Sequence, residues 1–433
     1  MNGAIIDDFV TGRWRDPESG ETARSPVSAI LIAASLDGRE GDLIVPLGLG
    51  RRLAVVADEH TVEVMGRRVA CALKAVAQVD LVVLKNPHAD IDTVGEVQAR
   101  TKAADGLIAV GSGTVNDLCK HATHLDGRPY AVFGTAASMN GYVTGTASIT
   151  EGGFKRTLAS HTPRGAFFDL TVMAAAPLRQ TRAGFGDSIC RTTAQVDWLM
   201  AHLLLGRRYM EGPYVLQAED EVPMLDQAGE IAAGRLDSLA ILVRMLVLGG
   251  LGVVLPGTSD PGSQGEHLIS HYIDMLAGPR HPGSLHGEQV GVAAMTMNRL
   301  QHALLSMDAP PRLSAMQIDR MAMSARFGAL APQCMAEFEG KAMGTAATDR
   351  LNAKLADFWP DLRRRLRAVL LPQARMRQAM DAIGAPMRAA DIRLAPALYR
   401  EAVLHAREIR NRYTFLDIAA DGGLLEAFAA GEG

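Results

Sequence analysis

Three histidines stand where a metal ion could use them. His267 and His271 occur in Glu266-His267-Leu268-Ile269-Ser270-His271, four positions apart, so a helix carries both on one face. His286 follows in Leu285-His286-Gly287, at the expected N-terminus of the next helix. Two imidazoles from adjacent helices and one carboxylate make a three-donor site with an open coordination position, which is what a catalytic divalent metal needs. Packed or capping histidines give the same spacing, so the pattern leaves both readings open. Glu266 precedes the first histidine, so the order is not HExxH, which argues against a zincin-type protease. The candidate carboxylate is Asp187, in Ala183-Gly184-Phe185-Gly186-Asp187. On pattern alone it reads better as the N-cap of the apolar helix expected over residues 187–205.

A second chemistry is written in glycine. Gly111-Ser112-Gly113-Thr114 follows the apolar run GLIAV and precedes a helical pattern from Val115. A strand-to-helix turn without side chains lets backbone N–H groups reach a phosphate at a helix N-terminus, where the dipole favours an anion. Asn116 stands where a dinucleotide fingerprint has its third glycine. The competing reading is a tight turn that needs positive φ. A second loop, Gly134-Thr135-Ala136-Ala137-Ser138-Met139-Asn140-Gly141, follows the next apolar run. Thr135 and Ser138 offer hydroxyls suited to phosphate or ribose, and loops after neighbouring strands share one crevice in an open α/β sheet.

The elements that must position these residues fall into two kinds. Strands are expected at 52–57, 80–84, 106–110 and 130–133, and helices at 61–76, 90–104 (with Asp90 as N-cap) and 115–125, a βαβ alternation that implies a parallel sheet. Residues 135–170 read as loops with short strands. From about Leu178 the pattern is helical, with helices expected at 187–205, 238–248, 266–276, 287–305 and 396–412. The predicted fold class is an α/β nucleotide-binding domain with a parallel sheet over 29–172, then an all-α domain over 173–433. A polar, loosely ordered lead-in is expected over 1–28.

Composition limits the partners. Of 433 residues, 44 are Lys or Arg and 48 are Asp or Glu, for a net charge of −4, which argues against nucleic-acid binding through bulk charge. The basic run Arg363–Arg367 reads as a solvated helix face. Four scattered cysteines exclude a disulfide framework and a Cys-type zinc finger and suit a reducing cytoplasm. The apolar stretch 245–255 is about half a membrane span, so no span is expected.

Seven stretches then arrive together in order: VVADEHT (55–61), VGSGTVND (110–117), TAASMNGY (135–142), AGFGDSICR (183–191), GEHLISH (265–271), LHGEQVGV (285–292) and LHAREIRNRYTFLDIAADGGLL (404–425). With them the chain, from about 30 to 425, resembles the sn-glycerol-1-phosphate dehydrogenases, particularly their bacterial AraM-like branch. That group belongs with the iron-containing alcohol dehydrogenases, glycerol dehydrogenase and dehydroquinate synthase. The resemblance implies a dehydroquinate synthase-like fold with a cleft between its two domains, and NAD or NADP bound along Gly111, Ser112, Gly113, Thr114 and Val115 and at Thr135 and Ser138. It places Asp58 near the adenosine and Thr144 at a small-hydroxyl position. It also implies one divalent metal, zinc in most relatives and nickel or iron in some, held by Asp187, His267 and His286. Asn140, Asp187 and His271 fall at substrate-contacting positions, His271 and Asn140 with a catalytic role. Asn140 stands where the family has a substrate-contacting Asp in its TxxSxDG stretch, so size is kept and charge is lost. The implied reaction interconverts dihydroxyacetone phosphate and sn-glycerol 1-phosphate in a cytoplasmic homodimer; a related polyol dehydrogenase or a dehydroquinate synthase-like lyase is the alternative.

Overall fold

The computed structural model describes residues 2–152 and 154–432. The chain forms two compact units, Met1–Ser188 with Glu211–Thr258, and Ile189–Met210 with Ser259–Gly433. This division differs from the contiguous spans 29–172 and 173–433 expected from sequence. Residues 211–258 are helical, and they return to pack with the α/β part.

The first unit is built on a six-stranded, all-parallel sheet. Its strands are β1 (Ala29–Ala33), β2 (Arg52–Asp58), β3 (Gln78–Leu84), β4 (Gly106–Gly111), β5 (Tyr130–Gly134) and, after the antiparallel hairpin β6 (Thr146–Glu151) and β7 (Phe154–Ala159), β8 (Gly165–Asp169). The order across the sheet is β1-β8-β5-β4-β2-β3. All five residues of β5 and all six of β4 are buried, which accounts for their continuous apolar runs: helices cover both faces. On one face Leu53, Val55, Ile108, Val110 and Phe133 pack with Val62, Met65 and Val69 of the segment after β2. On the other lies helix Gly113–Asp126, which buries Val115, Leu118, Cys119 and Ala122. From β2 the chain goes to β3 on one side and then to β4 on the other. Strand order therefore reverses between β2 and β4, and at such a switch point open sheets bind ligands beyond their carboxyl ends.

Three expectations change. The lead-in is ordered: helix Ala4–Thr11 buries Ile6 and Phe9, and the Phe9 ring meets Trp14 edge-on at 5.5 Å. The polar residues that suggested looseness lie on its other face and in the turn after it. The helix expected over 61–76 begins as a wider turn, Val62–Gly66, and continues as Arg67–Leu73. The apolar stretch 245–255 belongs to a longer helix, Leu236–Val254, of 19 residues; it is apolar enough to cross a membrane, but 72% of its most apolar window is buried in the fold. It is a core helix of the first unit.

The second unit is helical. Arg191–Leu205, Gly265–Leu276, His286–Ser306, Thr345–Val369, Gln373–Ile383 and Pro396–His405 are its longer helices. Arg364 and Arg365 of the basic run are solvated, whereas Arg363 and Arg367 donate to the Leu305 carbonyl.

Replacing Phe9 by Ala removes a buried ring from the first unit. The expected cost is about 3 to 5 kcal/mol of stability, measured as a lower denaturant midpoint; an unchanged midpoint would show that residues 4–11 do not belong to the folded core.

Candidate active site

The glycine-rich turn lies at the switch point. Gly111 ends β4, Ser112 is the N-cap, and helix Gly113–Asp126 starts at once. Neither glycine has positive φ, so the turn does not need glycine for that reason. Packing demands it instead. A Cβ on Gly111 would stand 2.6 Å from the Cβ of Val115, and one on Gly113 would stand 2.8 Å from the Met139 sulfur. Ser112, Gly113 and Thr114 are partly exposed, and the first N–H groups of the helix have no intrahelical acceptor. This is the arrangement that receives a phosphate.

The second loop joins it through the sheet. Gly111 pairs with Gly134 at the ends of β4 and β5, and the Thr135 N–H donates to the Gly111 carbonyl at 3.1 Å. Asp58 lies at the end of β2, on the other side of β4. Its Oδ1 accepts from the N–H groups of His60 and Thr61 and from the Thr61 hydroxyl, and that hydroxyl also lies 3.0 Å from the Val110 carbonyl oxygen. The structure thus gathers Asp58, Gly111 to Val115, Thr135 and Ser138 at one end of one sheet. Thr144 is buried, and its hydroxyl bonds inside the fold, within 3.1 to 3.4 Å of the Gly141 and Thr146 carbonyls and the Lys120 ammonium.

Lys120 was not singled out in the sequence. It is fully buried on helix Gly113–Asp126 and donates to the carbonyls of Gly141 at 2.5 Å and Thr146 at 2.9 Å. Asp117, one turn earlier, lies 3.5 Å from its ammonium. Burial pushes the lysine pKa down and the aspartate pKa up, and each partner's charge opposes the shift of the other. The pair ties the loop after β5 to the helix that begins at the glycine turn. An aspartate and a lysine three apart in an apolar helix were the available signal.

Asp187 is not an N-cap. It lies inside helix Leu178–Ile189, and the next helix starts only at Arg191. The preceding glycine explains the placement: a Cβ on Gly184 would be 2.0 Å from the Ala137 carbonyl oxygen, so the helix backbone can touch the loop only with glycine there. One turn later, the Asp187 Oδ2 accepts from the backbone N–H of Asn140 at 2.8 Å.

In the second unit, helix Gly265–Leu276 presents His267 and His271, and His286 is the first residue of helix His286–Ser306. Their ring centroids are 5.3 to 5.9 Å apart. Neighbours assign the protons of the two candidate ligands. The His267 Nδ1 lies 3.0 Å from Glu266 Oε1, a carboxylate that only accepts, so Nδ1 is the donor and the neutral ring carries its lone pair on Nε2. For His286 the assignment runs through three residues. Gln289 Nε2 donates to Asp274 Oδ1 at 3.1 Å, which turns its Oε1 to Ser270. The Ser270 hydroxyl donates to that oxygen at 2.8 Å and therefore accepts from His286 Nδ1 at 3.3 Å. In their neutral forms these tautomers place the lone pair of both rings on Nε2, the form a metal requires.

Cys190, Glu266 and His267 also bring donor atoms within 4.8 Å of one another. The Glu266 oxygens accept from His267, the Gln264 N–H and the Thr193 hydroxyl, so this carboxylate is engaged on both oxygens. Asp197, next to Glu266, is pushed up to about 8, first by burial and second by that neighbour's charge. Asp197 is therefore mostly neutral at pH 7, and the interior is spared a second anion. His271 is held well below the usual imidazole range, first by burial and then by the repulsion that a proton on its ring would meet from His267, His286 and Arg410 whenever these are charged.

Comparison with known proteins sets these residues in a family. The iron-containing alcohol dehydrogenase family model matches residues 31–177. A glycerol-1-phosphate dehydrogenase [NAD(P)+] of Bacillus licheniformis is 28% identical, with 93% of this chain and 92% of that protein covered. The protein of the same name from Methanothermobacter thermautotrophicus is 31% identical over 62% of this chain and 78% of its own length. This chain belongs to the glycerol-1-phosphate dehydrogenase family. A probable glycerol dehydrogenase of Sinorhizobium meliloti has the same fold, with a TM-score of 0.61 at 17% identity over 93% of this chain and 98% of that one.

For a glycerol-1-phosphate dehydrogenase family member, the residues that set the imidazole protons matter as much as the imidazoles. Sequence spacing picked out His267 and His286 and passed over Glu266, Ser270 and Gln289, because a supporting residue has no spacing rule. Glu266→Gln is expected to weaken metal binding about 10- to 100-fold, read by chelator competition. Retention equal to the parent protein would show that Glu266 does not set the His267 proton.

Proposed function

We propose that this chain interconverts dihydroxyacetone phosphate and sn-glycerol 1-phosphate with NAD or NADP. The observation that carries the reading is the pair of histidines whose Nδ1 atoms are engaged by Glu266 and Ser270, in a chain that covers 92% of a relative of that name. His267 and His286 would hold a divalent metal, with Asp187 as the third ligand; the donor set suits zinc, nickel or iron. When bound, the metal supplies Lewis-acid polarisation of the ketone oxygen and NAD(P)H supplies the hydride.

The chain's own residues do the rest. The N–H groups from Gly113 to Val115 bind the pyrophosphate, with the hydroxyls of Thr135 and Ser138 beside them. Asp58 has spent Oδ1 on its turn and can offer Oδ2 to the adenosine ribose. Thr144 acts through the loop it closes. His271, kept neutral, suits a relay: one ring nitrogen gives its proton to the forming hydroxyl while the other takes one up. Asn140 donates its side-chain amide to a substrate hydroxyl where an aspartate would accept.

The test is NAD(P)H absorbance with metal-loaded protein and dihydroxyacetone phosphate. Ketone-dependent oxidation is expected, and none with any triose would sink the reading. Phosphate release without net cofactor consumption would favour the lyase alternative. His267→Ala should lose its metal; unchanged metal content refutes that ligand. Asn140→Asp should change KM for the triose phosphate and leave metal content alone, since the bond to Asp187 comes from the backbone. Metal loss in that variant would contradict the assignment.

A further inference from the structure

The stretch His405–Arg412 runs beside the helix that carries His267 and His271, and nearly all its charged and polar side chains are engaged. His405 meets Glu408 at 2.9 Å, and Arg407 holds Asp421 at 3.0 Å. Asn411 takes Arg207, and its N–H donates to Glu337. Arg412 is tied to Ser259 and Ser263, the residues that lead into the His267 helix. Arg410 is the exception. It is half-buried, yet among the described residues its guanidinium makes no hydrogen bond and no ion pair. It is close enough for its charge to act on His271, and Arg412 beside it is a second cation.

A guanidinium half removed from water is costly to leave unpaired. Its planar fork of N–H donors matches a phosphate with two parallel bonds, which an ammonium cannot reproduce. We propose that Arg410 binds the phosphate of the substrate, setting the enzyme's preference for a phosphorylated three-carbon ketone over the free one. This rests on the function proposed above. The phosphate end of the substrate then lies toward the 406–412 stretch, and its carbonyl end toward the three imidazoles.

The experiment compares the metal-loaded parent, Arg410→Gln and Arg410→Lys on dihydroxyacetone phosphate and on dihydroxyacetone. A lost charged hydrogen-bond pair is expected to raise KM for the phosphate about 10- to 100-fold in Arg410→Gln. kcat should fall much less, and the effect on dihydroxyacetone should be far smaller. Arg410→Lys should recover part of the loss, and its melting temperature separates binding from folding. Equal losses on both ketones, or no change in KM, overturn the proposal. If the parent protein reduces no triose, the function proposed above fails, and calorimetry with inorganic phosphate decides Arg410 by itself. Binding by the parent that Arg410→Gln loses supports the anion site; equal binding, or none, overturns it.

Discussion

An imidazole can hold a metal ion only through a nitrogen that carries no proton, and two imidazoles side by side must both meet that condition. Here the condition is imposed from outside the rings. Glu266 can only accept, so it fixes His267 directly. His286 is fixed at a distance, through Ser270 and Gln289 to the carboxylate of Asp274. Each link has one allowed direction once Asp274 sets the first, because a carboxylate cannot donate. The cost is a cluster of buried acids near the histidines. Burial limits it, because it pushes the Asp197 carboxyl up to about 8. Donors set in advance in this way would spare a metal site the reorganisation that a free histidine pair undergoes on binding.

The first unit solves a different problem, which is to bring its loops and helices into close approach. Its glycines at 111, 113 and 184 sit at approaches of 2.0 to 2.8 Å from a would-be Cβ, and none of the three needs a left-handed φ. Gly113 lets the turn lie against Met139 of the loop after β5, and Gly111 leaves room for Val115 at the start of the helix. Gly184 lets a helix rest on that same loop and so positions Asp187. Lys120 holds the loop from the other side through two carbonyls. The loop that carries Thr135, Ser138 and Asn140 is thus fixed by close contact at one edge and by a buried cation at the other, with few polar side chains of its own in the fixing.

How much of this could be read beforehand follows from what leaves a periodic trace. Buried parallel strands are continuous apolar runs, so β2, β4 and β5 were legible to within a residue or two. The histidines were legible because a helix turns a spacing of four into a shared face. The seven ordered stretches gave the family before any coordinate. What escaped depends on distant partners. β1 and β8 pair with each other across 130 residues of chain, and nothing local in either announces it. Asp187 looked like a cap because two glycines before an apolar helix read as a break; only the contact between Gly184 and Ala137 shows that they continue one. The helix at 4–11 has only two buried residues and was masked by the acidic pair between them.

Asn140 shows how these constraints bear on substrate choice. The group at position 140 that reaches Asp187 is the main-chain N–H, which every residue but proline supplies. The side chain is therefore released from the task of holding the carboxylate. An aspartate at 140 would set a second negative charge on the residue that donates to Asp187, and an asparagine avoids it. The gain is a less repulsive surrounding for Asp187, whose Oδ2 keeps the main-chain N–H of position 140. Position 140 can then drift from acid to amide without dismantling the loop, because the close contacts at Gly184 and Gly113 and the buried Lys120 hold it whichever side chain is present.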